Sequence, residues 1–116
     1  MPRDDKYLVV LTTLGSVEDA RAFVRTLVER RVIACGTILP GGTSLYRWEG
    51  SVTEATEAVV LLKTQRKRWK DLVELTRSIH PYEVPELISL AVTEGLESYL
   101  KWVTSETVEP QKKESR

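Results

Sequence analysis

Within seven residues, His80-Pro81-Tyr82-Glu83-Val84-Pro85-Glu86 places the only histidine of the chain, a phenol and two carboxylates around two prolines. Imidazole and carboxylate are metal ligands. With the thiolate of Cys35, the single cysteine, His80, Glu83 and Glu86 make a ligand inventory suited to copper or zinc. The same groups fit acid–base chemistry, with His80 and Glu83 as the pair and Tyr82 beside them. Neither pattern is complete, because there is no second histidine, no CxxC and no HExxH. A histidine between a helix end and a proline also serves as a structural hydrogen-bonding group. No nucleophile is marked, since Cys35 lies in the apolar run Val32-Ile33-Ala34-Cys35 and fits a small core side chain. The chain is not read as an enzyme.

A second constellation is Tyr46-Arg47-Trp48-Glu49-Gly50. In an extended strand the alternation puts Tyr46 and Trp48 on one face and Arg47 and Glu49 on the other. An aromatic pair at a hairpin end suits a protein contact, and packing within its own chain explains it as well. Gly41-Gly42 lacks both a P-loop pattern and a following helix, so no phosphate cradle is expected.

The elements that must position these residues follow from hydrophobic period. Tyr7 to Leu11 is a continuous apolar run, which fits a strand covered on both faces. Ser16 offers an N-cap to a helix whose packed face is Val17, Ala20, Val24, Leu27 and Val28. Val32 to Leu39 and Thr43 to Trp48 read as one strand interrupted by a bulge at Pro40-Gly41-Gly42. Glu49-Gly50 makes a tight reversal into a strand over Val52 to Lys63. Trp69, Leu72, Val73, Thr76 and Ile79 mark a second helix, which stops at His80 because Pro81 follows. Leu87 to Val92 is a fourth strand, and Leu96, Tyr99, Leu100 and Val103 mark a short terminal helix. The order predicts an α+β, ferredoxin-like βαββαβ sandwich with both helices on one sheet face. The other face and the long hairpin are then left apolar and uncovered, which points to an oligomer.

Composition bounds the function. The 116 residues make one domain, 41% hydrophobic and 29% charged, and so globular. Lys+Arg and Asp+Glu are both 17, which argues against a nucleic-acid partner bound through net charge. Five basic groups between Lys63 and Lys70 leave a local basic patch open, and a solvated helix face explains them equally well. No apolar run approaches the ~20 residues that span a bilayer, and Met1-Pro2-Arg3-Asp4-Asp5-Lys6 lacks a signal core. With one cysteine and no intramolecular disulfide, the expectation is a cytoplasmic protein with no membrane partner. The ordered core is expected over about residues 7–104, with 105–116 a frayed tail.

The blocks Ala34-Cys35, Ile38-Leu39-Pro40-Gly41, Thr43-Ser44-Leu45-Tyr46-Arg47-Trp48-Glu49-Gly50, Leu62-Lys63-Thr64 and His80 to Glu86 resemble the signature blocks of the CutA divalent-cation tolerance family. Gly95, Tyr99-Leu100 and Trp102 fit its C-terminal segment. The resemblance covers about residues 7 to 104. It implies a homotrimer similar in architecture to the PII signalling proteins, with a role in the response to copper or another divalent cation and no established enzymatic activity. Cu2+ or another divalent cation is then the implied ligand, not required for folding, on His80 with Glu83 and Cys35 as further candidates. The implied cleft between subunits is lined by Tyr46, Trp48, Glu49, Lys63, His80, Tyr82, Glu83 and Glu86. A PII-like signalling or scaffold trimer, binding a small molecule or a protein partner in that cleft, is the alternative. The chain departs from the family pattern at three places. Members proposed to bind copper carry a cysteine at the position of Thr12 and a histidine at that of Ile79, and Gly36-Thr37 replaces a usual Val-Asn.

Overall fold

A computed structural model describes residues 6–109. The elements run β1 (Tyr7–Leu14), α1 (Val17–Glu29), β2 (Cys35–Trp48), β3 (Ser51–Gln65), α2 (Trp69–Ile79), β4 (Ile88–Ala91) and α3 (Glu97–Glu106), with a single 3-10 turn at Arg66–Arg68 before α2. The four strands form one sheet in the order β2-β3-β1-β4, every neighbouring pair antiparallel. This is the α+β, ferredoxin-like arrangement expected from the order of elements. Among the described residues no helix is long and apolar enough to cross a membrane.

Strand β1 corrects one expectation. Its apolar run is not covered on both faces: burial alternates strictly, with Leu8, Val10, Thr12 and Leu14 inside and the residues between them half-buried. A run of Val and Leu hides the period of two that the pleat imposes. The inward set meets Val60 and Leu62 of β3, Phe23 and Leu27 of α1 and Leu72 of α2 in one core cluster. The other face shows Val9, Leu11, Val59 and Leu61, flanked by Ile88 and Leu90, both about half exposed.

Local chemistry sets the boundaries. The Ser16 hydroxyl accepts from the Asp19 N–H at 3.0 Å and starts α1. The β2–β3 register shifts between Leu39 and Gly42, the expected bulge, and β2 runs on without a break. At the hairpin end Glu49 and Gly50 have φ of 49° and 84°, the two left-handed residues of a type I′ turn, which matches the twist of the paired strands. Val28 of α1 is exposed rather than packed, and Leu96 is the exposed N-cap of α3 rather than part of its buried face.

The charged run before α2 is not wholly solvated. Arg68 is buried, donating to Asp71 Oδ2 at 2.6 Å and to the Arg31 carbonyl at 3.2 Å, and pairing with Glu109 at 3.1 Å. Arg31, just past the α1 C-cap, is left-handed with a φ of 59°. The chain also holds its order beyond residue 104: α3 reaches Glu106, and the buried Thr107 hydroxyl donates to the Val103 carbonyl at 2.7 Å and accepts from Gln65 Nε2 at 2.8 Å. The rest of the expected tail, 110–116, lies outside the described residues.

Gly36 has a packing reason. A Cβ there would sit 2.7 Å from Val24 Cγ1 and 3.0 Å from Leu62 Cδ2, so the bare backbone lets α1 lie directly on β2. Gly36→Ala should destabilise the fold by about 1–3 kcal/mol through overpacking, read as a lower urea midpoint. An unchanged midpoint would show that α1 can lift from the sheet at no cost.

Candidate functional site

The site is built around the C-terminal end of α2. The His80 N–H donates to the Thr76 carbonyl at 2.8 Å, and Pro81 prevents any further turn. His80 is extended, with ψ of 129°, and its ring turns inward on the helix side of the sheet. There Nε2 lies 3.0 Å from the Thr13 carbonyl and 3.2 Å from Thr12 Oγ1, while Nδ1 accepts the Tyr82 N–H at 3.2 Å. A carbonyl only accepts, so the proton resides on Nε2 and the ring is the neutral tautomer. The Phe23 and Tyr82 rings pack edge-on against it, with centroids 5.2 and 4.9 Å away. Burial pushes the imidazole below its ordinary 6.5, against the Thr13 carbonyl and the Glu57 charge, which both favour protonation.

Tyr82 carries the loop to β3. Its hydroxyl donates to Glu57 Oε2 at 2.5 Å. Burial alone would raise the Glu57 carboxyl, but hydrogen bonds from Tyr82, Ser44 and Thr13 outweigh it and hold the group below 4.5. Burial and the bond to this anion hold the Tyr82 phenol well above its usual range. Glu57 was not among the residues singled out from the sequence. The available signal is a carboxylate directly ahead of the apolar run Ala58 to Leu62, in a strand bound for the core.

Beside this anchor opens a cavity of about 610 Å³, on whose wall Tyr46, Trp48, Tyr82, Glu57, Glu83 and Glu86 meet. The structure therefore brings together five of the eight cleft residues expected from the sequence, with His80 immediately behind Tyr82. It does not bring the other two to the wall. Glu49 occupies the hairpin turn, and Lys63 pairs with Val9, four residues along β1 from Thr13, donating to Thr37 Oγ1 at 3.0 Å.

Cys35 is separated from His80. It opens β2 opposite Lys63 and turns to the face away from α1, since its neighbour Gly36 is the residue that meets Val24. Its Sγ lies 3.4 Å from the Tyr99 hydroxyl of α3, and this bond and burial push the phenol up to about 12. The His80–Cys35 pair considered from the sequence is corrected: the two lie on opposite faces of the sheet. Nor do the described residues fit an inner copper shell on His80, because both ring nitrogens are spent inside. Among the described residues no three His, Cys, Asp or Glu side chains converge as a metal site.

The site and fold define a class: a ferredoxin-like subunit with an open apolar sheet face and an acidic, aromatic-walled cavity beside a long hairpin. The family model described as CutA1 divalent ion tolerance protein matches residues 8–106. The chain is 44% identical over 99 residues to the divalent-cation tolerance protein CutA of Thermus thermophilus, an alignment spanning 85% of this chain and 96% of that one. It is 45% identical over 84 residues to the CutA homolog of Xenopus laevis, covering 72% of this chain and 56% of the frog protein. The solved Thermus structure superposes with a TM-score of 0.85 at 43% identity, over 88% of this chain and 99% of that one. The chain belongs to the CutA divalent-cation tolerance family.

Because His80 is the only histidine and is held neutral, it adds stability above pH 6.5 that is lost as the pH falls through its lowered folded value. Glu57 adds its own loss only below 4.5. Urea midpoints between pH 7 and 5 should therefore fall for the wild type and stay flatter for His80→Gln, compared each with its own pH 7 value. Parallel slopes would count against a buried neutral imidazole. Tyr82→Phe removes the 2.5 Å bond to the buried Glu57 carboxylate and should cost about 1–3 kcal/mol in urea unfolding at pH 7.

Proposed function

We propose that the protein acts in divalent-cation tolerance as a homotrimer whose acidic cavity is completed by a neighbouring subunit and collects cations there. The observation that carries this reading is charge: Glu57, Glu83 and Glu86 share one wall, and among the described residues no Lys or Arg lies on it. Three carboxylates on one concave wall favour cations through a summed field. Glu83 and Glu86 are exposed and so available as ligands, whereas Glu57 is tied to Tyr82. In this reading copper or another divalent ion binds on Glu83 and Glu86 with water, and His80 shapes the loop without ligating.

The assembly rests on the uncovered sheet face. Burying apolar surface contributes ~25 cal/mol per Å², so a face bearing Val9, Leu11, Val59, Leu61, Ile88 and Leu90 favours contact with a second copy. Sheet edges at β2 and β4 offer backbone donors and acceptors for the same contact. The alternative, a PII-like trimer that signals or scaffolds through a small molecule, draws on the aromatic part of the same wall.

Titration of CuCl2 by calorimetry tests the ligands. His80→Gln should keep the wild-type heat and stoichiometry, while Glu83→Gln with Glu86→Gln should weaken binding about tenfold or more. Loss of binding in His80→Gln alone would overturn the assignment. Sedimentation equilibrium should give about three times the 13.2 kDa chain mass. Ile88→Lys should lower it by charging the face; a wild-type monomer would overturn the trimer.

A further inference from the structure

We propose that the cavity also binds a small organic ammonium ion, its methyl or methylene groups against the rings of Tyr46, Trp48 and Tyr82 and its charge balanced by Glu57, Glu83 and Glu86. The inference rests on the cavity assigned above and adds a ligand class that bare metal chemistry does not explain.

Three features of the wall support it. The first is size. A volume of about 610 Å³ lies in the range of small-molecule sites, whereas a bare divalent ion needs oxygens drawn in to 2.0–2.6 Å. The second is the combination of rings and acids. Trp48 and Tyr46 line the cavity and are each about 40% exposed in the single chain, at the hairpin end. The face of an aromatic ring is the negative pole of its quadrupole, and it attracts weakly hydrated quaternary or alkylated ammonium ions. A strongly hydrated metal ion gains little from such a surface, so the rings select for an organic cation. The third is the fixed charge. The Glu57 carboxylate is buried and held by the 2.5 Å bond from Tyr82. It supplies a negative charge on the cavity wall without offering a free inner ligand. Glu83 and Glu86, exposed on the same wall, add steering charge. The loop that presents them is stiffened by Pro81 and Pro85, so little ordering is required on binding.

The test is titration of tetramethylammonium chloride into the full-length protein, followed by the fluorescence of its tryptophans. Sodium chloride controls for ionic strength, and tert-butanol serves as a neutral analogue of similar shape. The expected result is a saturable change with tetramethylammonium, with tert-butanol about tenfold weaker or more. Trp48→Phe should retain binding within about threefold, and Trp48→Leu should weaken it about fivefold or more. Because Trp48 is also a reporter, calorimetry repeats the comparison, and Tyr46→Leu provides a second loss variant should Trp48→Leu fail to fold by circular dichroism. A response that does not saturate, equal binding of tert-butanol, or unchanged affinity in both leucine variants overturns the inference. Copper heats separate it from the reading above. A protein that takes copper but not tetramethylammonium loses the organic-cation site alone. One that takes tetramethylammonium but not copper keeps this site and loses the metal assignment.

Discussion

The sheet has two faces: α1 and α2 cover one, and only the short α3 lies on the other, at one end. That inequality governs the rest of the molecule. Strand β1 is apolar throughout, yet only Leu8, Val10, Thr12 and Leu14 meet α1 and α2. The intervening side chains look outward, where α3 covers one end, through the 2.6 Å bond between the Tyr7 and Thr104 hydroxyls, the Gln65 amide on Thr107 and Tyr99 on Cys35. The remaining apolar face is the surface on which the proposed trimer rests.

The site depends on the same sheet at its other end. The two prolines stop α2 and stiffen the loop, but they do not aim it. The aim comes from two side chains. His80 hooks under β1 through the Thr13 carbonyl and the Thr12 hydroxyl, and Tyr82 hooks onto β3 through Glu57. Thr12, one of the departures from the family pattern, is thereby a partner of His80. A lone neutral histidine bonded at both nitrogens is a fastener, and its value is to hold Glu83 and Glu86 beside the hairpin. The cost of placing Glu57 in this corner is offset by the three hydroxyls that solvate it.

Much of this was legible in the residues. The α1 cap at Ser16, the bulge at Pro40 to Gly42, the reversal at Glu49-Gly50 and the α2 stop at Pro81 are each dictated by a local backbone preference, and each lies where it was read. Within the single chain Tyr46, Trp48, Tyr82, Glu83 and Glu86 line one cavity, and on the family resemblance they were assigned to a cleft between subunits. Glu57 was not, because its importance comes from a residue 25 positions away that no local pattern connects to it. Arg68 was misread for the same kind of reason. A run of Lys and Arg looks solvated until one member turns inward to find Asp71, Glu109 and the Arg31 carbonyl.

The sequence by itself determined what the backbone does locally and which family the chain belongs to. Caps, prolines, left-handed turn residues and periodicity act over a few residues, and the signature blocks lie in ordered stretches. Only the tertiary structure decided what the chemical side chains are for. His80 and Cys35 are both competent ligands in a list of residues. The sheet puts them on opposite faces, one against Phe23 and Tyr82 and the other against Tyr99. Which side a residue faces follows from strand register and bulge position summed over the whole sheet, and a one-residue slip would reverse it.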